Sequence, residues 1–327
     1  MINICTLFNS RYHAKGMALH HSLLEVGADF HLYIVAFDDA CFEALKEAGL
    51  AHTTVISLTE LENNKLLAVK QGRSVAEYCW TCTPSTIRYC IDKFQLNACT
   101  YVDADLYFYK DPQLLIDEMD DNDVLITPHN YHPKYDQSAL AGIYCVQFVP
   151  FKNTPNGNEV LNWWVNACLQ WCYARHEDGK MGDQKYLDSW PYMFDGVYIC
   201  NNKYAGLAPW NALNYAEEKD VRDKAIFYHY HDLQYLSNGS WFLGGYDIPD
   251  HIVEQFYKPY ISLLKDIAAG SSVVNSLNIV DAEKFNLITT KYKLGIYKLE
   301  LQAAFKKFIH ALFFINRRRF YKNNFIK

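Results

Sequence analysis

Two apolar runs, "INICTLFN" and "FHLYIVAFDD", flank a loop, "SRYHAKG", and a segment of helical spacing, "MALHHSLLEVG". Strands that show one face to water alternate apolar and polar residues, and these do not, so both faces must be covered. A β–α–β start of this kind commits the chain to a mainly parallel sheet flanked by helices. The pattern continues with helix "DACFEALKEAG", closed by Gly49, and strand "HTTVISL". Helix "TPSTIRYCIDKF", with Thr83 or Ser85 near its N-terminus, precedes strands "ACTYVDADLYFY", "DVLITPH" and "LAGIYCVQFVPF" and the helix "NEVLNWWVNACLQWCYARH". Later segments shorten, and a boundary is expected near 245 to 275. The expected division is an α/β domain over 1–270 and a helical, basic, amphipathic extension over 271–327.

Charge supports that division. Residues 291 to 327 hold ten Lys or Arg and one acid, Glu300, giving +9; the whole chain is at -6, which leaves -15 for the rest. No uninterrupted apolar run reaches the length of a membrane span. Ten cysteines form no short-range framework, and "MINICTLF" has no charged leader or cleavage site, so a cytoplasmic protein with reduced thiols is expected. The Cys79–Cys82 pair in "YCWTC" has no second CxxC to complete a zinc site and reads as buried structural cysteine.

Within "TYVDADLYFYKDP", Asp103 and Asp105 interrupt a run that is otherwise a buried strand. In a parallel α/β sheet the carboxyl ends of the strands form the ligand crevice. Side chains two apart on an extended chain share a face, so these carboxylates converge and repel unless a cation joins them. Oxygen ligands favour Mg²⁺ or Mn²⁺, ions that complete their shell with substrate phosphates. A metal that holds a diphosphate is the expectation.

The β–α–β start, the acids after the second strand, the Arg-bearing helix and then "YVDAD" resemble the GT-A glycosyltransferases. The resemblance is closer to the family 8-like bacterial enzymes related to glycogenin and the lipooligosaccharide galactosyltransferases. "STIRYCI", "GDQKYLDSWP", "LAPWN" and "FYHYHDL" follow in the matching order, and look like an uncharacterised bacterial branch of these transferases. The resemblance implies a Rossmann-like nucleotide-sugar-binding fold over residues 1 to about 245.

It also implies roles. Asp103 and Asp105 match the metal pair, with His229 of "HYHD" as third ligand and His231 as the alternative; Asp232 stands where the family has glycine. Thr6, Phe8 and Asn9 match the loop that cradles the nucleoside, Asp38 or Asp39 the acid at the base, and Arg88 the arginine at the donor sugar or diphosphate. Asp103, with Ala104 beside it, also borders the nucleotide. Asp183 and Gln184 match the pair beside the reacting sugar. Cys145 occupies the place of the sugar-contacting Asn, with Gln147 as the nearest substitute. Trp210 and Asn211 match an element on the acceptor side.

The implied activity is a retaining, Mn²⁺- or Mg²⁺-dependent transfer of a hexose from a nucleotide-sugar, a UDP-sugar first, to a glycan or lipid-linked glycan in bacterial surface polysaccharide or lipopolysaccharide synthesis. Two other classes share the acids: an inactive GT-A-like binding subunit and a metal-dependent nucleotidyltransferase. No nucleic acid is expected as partner. The tail offers a further partner. Leu301, Phe305, Phe308, Ile309, Leu312, Phe313 and Ile315 gather on one side of a helix, with Lys306, Lys307 and Arg317 to Arg319 around it. That pattern suits the anionic inner leaflet of the cytoplasmic membrane.

Overall fold

The computed structural model describes residues 1–273, 275–286 and 325–326, the last pair through their backbone. The chain forms two compact units, one of residues 1–231 and 248–277, the other of 232–247 and 278–327.

In the first unit, β1 (Ile2–Phe8), β2 (Phe30–Ala36), β3 (Thr53–Ser57) and β4 (Ala98–Val102) run parallel in the order β3-β2-β1-β4. Between them lie α1 (His13–Glu25), α2 (Asp39–Ala48), α3 (Leu58–Leu61), α4 (Asn64–Lys70) and α5 (Val75–Phe94). After β5 (Leu106–Phe108) come β6 (Val124–Pro128), β7 (Tyr144–Cys145), β8 (Phe148–Lys152) and β9 (Val197–Ile199). The sheet continues past β4 to β8, β6 and β7; β8 is antiparallel to β4 and to β6, β7 antiparallel to β6, and β9 parallel to β6.

The absence of alternation in β1 and β2 has the anticipated consequence. Cys5, Leu7, Tyr33 and Val35 enter one core with residues of α5 and of the helix Pro155–Gln170. Ile4, Phe8, Leu32 and Ile34 enter a second core with residues of α1 and α2. Each strand therefore buries both faces, at roughly 1.5–3 kcal/mol per large apolar side chain. Gly16 of α1 lies against the Phe8 ring, and a Cβ there would overlap it.

Two helices begin earlier than the sequence led us to expect. The α1 helix starts at His13, so most of "SRYHAKG" belongs to its approach and first turn. The α5 helix starts at Val75 under a capping box, in which Ser74 Oγ accepts from Glu77 N and Glu77 accepts from Ser74 N. Thr83 and Ser85 lie inside it, as does Pro84. Thr83 and Thr86 turn their hydroxyls to carbonyls one turn back, Cys79 O and Cys82 O, which lets polar residues lie buried around the proline. All ten cysteines are free. Among the described residues no helix is long and apolar enough to cross a membrane.

The second unit holds a small sheet, β11 (Gln234–Tyr235), β12 (Trp241–Phe242) and β13 (Phe325–Ile326), and an apolar cluster of Leu236, Phe242, Ala282 and Phe285. The amphipathic segment expected at Leu301 to Arg319 lies outside the described residues.

Candidate metal centre

The acids do not sit on one continuous strand. After Val102 the chain turns, with Leu106 N donating to Asp103 O at 3.2 Å, and only then does β5 begin. The turn, in place of strand periodicity, brings the two carboxylates together. β5 pairs antiparallel with β10 (Phe227–His229), in a register that sets Leu106 opposite His229. Tyr230 N donates to Asp105 O at 3.0 Å and His229 N to Leu207 O at 2.7 Å, so the histidine's backbone is clamped on both sides. Ligand atoms of Asp103, Asp105 and His229 all fall within 4.8 Å of one another.

His229 Nε2 lies 3.1 Å from Asp105 Oδ1 and 3.8 Å from Asp103 Oδ2. Its other nitrogen, Nδ1, donates to Gln147 Oε1 at 2.9 Å, because an amide oxygen only accepts. Gln147 is fully buried, and its Nε2 donates to Thr127 Oγ1 at 3.2 Å, which fixes the amide's orientation. Gly206, at φ +88, leaves room for that amide; a Cβ there would run into Gln147 Nε2. The imidazole is thus held with Nε2 toward the carboxylates. Tyr101 Oη donates to Asp103 Oδ1 at 3.1 Å, and Lys15 Nζ lies 3.4 Å from Asp105 Oδ2.

The electrostatics follow from that geometry. Burial opposes a charged His229, but Asp105 and then Asp103 outweigh it and push the imidazole up to about 10. Asp105 is buried too, yet Lys15 and His229 hold it ionised, far below the usual carboxylate range. Burial pushes Asp103 up to about 6; His229 works against the rise and Asp105 adds to it. Burial pushes Asp183 up to about 7, with the Asp103 carboxylate adding to the rise. An imidazolium between two carboxylates marks a site built to hold positive charge. Two carboxylate oxygens and one imidazole nitrogen make a donor set that fits Mn²⁺, and Mg²⁺ where water completes the shell.

The other expected residues divide. Trp210 is buried beneath the histidines, its ring centroid 5.2 Å from His229 and 5.3 Å from His231, and its Nε1 donates to His129 O at 2.8 Å. Asn211 is buried as well; it donates to His129 O and Gly206 O and accepts from Ala208 N. The pair therefore braces the turn behind the site, and Trp210 shows almost no ring face to solvent. His231 is exposed, in edge contact with the His229 ring. Asp232 adopts φ +58, the left-handed conformation that glycine favours and Asp tolerates.

Asp183 is buried, and its carbonyl accepts from Trp164 Nε1 at 2.9 Å; Gln184 Nε2 donates to Ala141 O at 2.9 Å. Thr6 is buried, and its hydroxyl finds no hydrogen-bond partner among the described residues. Asn9 caps the turn after β1 by accepting from Arg11 N. Asp38 caps α2 through Cys41 N at 2.8 Å and accepts from Ser10 N and Oγ at 3.0 and 2.9 Å, which ties the loop after β1 to the start of α2. Ala104 is buried in the turn between the acids. Arg88 pairs with Asp92 on its own helix and with Asn158, none of them a site residue. The sequence reading did not single out Lys15 or Tyr101. Lys15 was hidden in a segment taken for loop; Tyr101 had no local signal beyond its place two residues before Asp103.

No protein-family model matches the chain. The uncharacterized protein YfnD of Bacillus subtilis strain 168 is 32% identical over 275 residues, which cover 78% of this chain and 86% of YfnD. The uncharacterized protein YfnF of the same organism is 28% identical over 248 residues, covering 71% of this chain and 82% of its own length. Among solved structures, the galactosyltransferase LgtC, in complex with donor and acceptor sugar analogs, superposes with a TM-score of 0.52 at 13% identity, covering 84% of this chain and 97% of LgtC. The fold is that of the GT-A glycosyltransferases, as the sequence led us to expect.

Proposed function

This chain belongs to the same protein family as YfnD of Bacillus subtilis, and we propose that it is a glycosyltransferase that moves a hexose from a nucleotide-sugar to a hydroxyl of a glycan. The single observation that carries this is the Asp103–Asp105–His229 group, joined by the turn after β4 and by the β5–β10 register within a GT-A fold. The galactosyltransferase LgtC, crystallised with donor and acceptor sugar analogs, supports a sugar donor and a sugar acceptor.

Asp103, Asp105 and His229 Nε2 would hold Mn²⁺ or Mg²⁺. Bound there, the ion supplies Lewis-acid stabilisation for a departing diphosphate. The chain's own residues do the rest. Gln147 keeps Nε2 turned to the site, and Tyr101 holds one oxygen of Asp103. Asp183 and Gln184 orient the reacting hexose; Asp183, pushed up to about 7, can present a protonated or an ionised carboxyl near neutrality. Thr6, Phe8 and Asn9 border the nucleoside, with Asp38 fixing their loop. We favour transfer with retention. The bond from the anomeric carbon to the phosphate oxygen breaks, the acceptor oxygen bonds on the same face, and the acceptor's proton passes to the departing phosphate oxygen.

The basic C-terminal segment extends the proposal to a lipid-linked acceptor at an anionic membrane surface. The test of the whole reading is Mn²⁺-dependent release of nucleoside diphosphate from a panel of nucleotide-sugars. Turnover of one of them that stops with chelator is the expected result. Binding without turnover would make the chain a sugar-binding subunit, and activity on nucleoside triphosphates alone would make it a nucleotidyltransferase.

A further inference from the structure

Three thiols meet inside the core, apart from the Asp103–Asp105–His229 group. Cys5 lies in β1, Cys99 in β4 and Cys90 in α5, and all three are buried. One sulfur from each falls within 4.8 Å of the other two. They converge on the sheet face that α5 covers, where Tyr33 and Tyr101 flank Cys5 in register.

A disulfide between the two strands does not account for the cluster. In the β1–β4 register Cys5 stands opposite Tyr101, two residues beyond Cys99. Strands about 4.8 Å apart that rise about 3.3 Å per residue put those two Cα atoms roughly 8 Å apart, outside the roughly 4.4–6.8 Å that a disulfide spans. A metal reaches further. Zn–S bonds of about 2.3 Å set sulfurs about 3.8 Å apart in a tetrahedral shell, so the sulfurs need to close by no more than about 1 Å. Asn3 adds an independent observation. It shares the Cys5 face of β1 and, one step before the Ile4–Thr100 pair, comes opposite Cys99. Its Nδ2 donates to Ala98 O at 3.3 Å, while its Oδ1 is buried with no hydrogen-bond partner among the described residues. A buried acceptor without a donor is costly, and a cation beside it satisfies it. Burial opposes an ionised Cys99, yet the thiols of Cys5 and Cys90 favour it and hold it below the usual thiol range.

We propose that Cys5, Cys90 and Cys99 bind a thiophilic cation, Zn²⁺ by preference, with Asn3 Oδ1 in the fourth position. Three sulfurs and one oxygen make a closed tetrahedral set, of the kind that supports a fold and leaves no position for substrate. Binding releases the thiol protons to solvent. The ion ties β1 and β4 to α5, beside Thr6 on one strand and four residues before Asp103 on the other. The proposal stands apart from the transferase reading.

The test uses the full chain with Asp105→Asn, which weakens the other centre, expressed with added Zn²⁺ and purified under reducing conditions. Elemental analysis after an EDTA wash should find about one zinc per chain, and X-ray absorption should find three sulfurs in its shell. No zinc, or fewer than three sulfurs, overturns the site. Adding Cys90→Ala and Cys99→Ala together should remove the zinc, whereas adding Cys79→Ala and Cys82→Ala should leave it. Sulfur-bound zinc that survives the first pair, or is lost with the second, assigns the ion to other cysteines and overturns the proposal. Where the first pair prevents folding, the sulfur count on the parent chain decides by itself.

Discussion

His229 Nδ1 donates to Gln147 Oε1 at 2.9 Å, and this one bond decides which nitrogen faces the two aspartates. Gln147 precedes β8 and His229 ends β10, so the contact joins two strands from distant parts of the chain. An imidazole held in one tautomer by an outer partner is a better ligand than one that must be oriented on binding.

Gln147→Leu should therefore weaken Mn²⁺ by about 10- to 100-fold while secondary structure is kept. Gly206→Ala should weaken Mn²⁺ in the same direction, because its Cβ would push the Gln147 amide aside and its φ of +88 strains any Cβ. Calorimetric titration of both variants checks the pair. Wild-type affinity in Gln147→Leu would remove Gln147 from the site.

Asp105→Asn should cut transfer by more than about tenfold, since it removes a charged ligand without changing side-chain shape. His229 loses the carboxylate that most raises its pKa and should return toward its ordinary value. Transfer rates at matched folded fraction decide the matter.

Metal binding should release a proton. Without metal, the His229 imidazole is pushed up to about 10 by Asp105 and Asp103, so at neutral pH a proton occupies Nε2 and a metal must displace it. Mn²⁺ affinity should rise with pH by about tenfold per unit between the Asp103 value of about 6 and the His229 value of about 10. In the metal-free protein the stability linked to this imidazole runs the other way: present in full below its unfolded value, it is lost as pH rises through about 10. Calorimetry in buffers of different ionisation enthalpy counts the proton, and a count of zero at pH 7 would refute the pairing.

His229→Ala should raise the Mn²⁺ requirement sharply, and His231→Ala far less, because His229 Nε2 lies 3.1 Å from Asp105 while His231 meets the rings of His229 and Trp210 edge-on. Activity against Mn²⁺ concentration for the two variants gives the order. The reverse order would pass the ligand role to His231.

Replacing Arg317, Arg318 and Arg319 by Glu should abolish salt-sensitive co-sedimentation with vesicles of anionic lipid, since each basic residue near such a surface contributes about 1 kcal/mol. Unchanged binding, or no binding by the wild type at low salt, would remove the membrane from the proposal.

The parallel α/β sheet was legible in the chain because β1 and β2 bury both faces, and burial on both faces leaves a continuous apolar run. The acids were legible because two charges at the end of such a run have no place in a core. Their convergence came from a turn that strand periodicity does not encode, since Leu106 N reaches back to Asp103 O. The starts of α1 and α5 were misplaced because capping and first-turn contacts, Ser74 with Glu77 above all, outweighed the apolar spacing further along. The family resemblance pointed to His229, but the register of β10 on β5 alone sets it opposite Leu106 and beside Asp105. Sequence could name Gln147 and Trp210 and still not give their orientation: one lies behind the histidine and the other beneath it, held by carbonyls and amides from other segments. Lys15 belongs wholly to the tertiary structure, because an ammonium on α1 finds Asp105 only when β1 and β4 lie side by side. Periodicity records what each residue must bury; which distant groups then meet is decided by strand register, and no local pattern carries it.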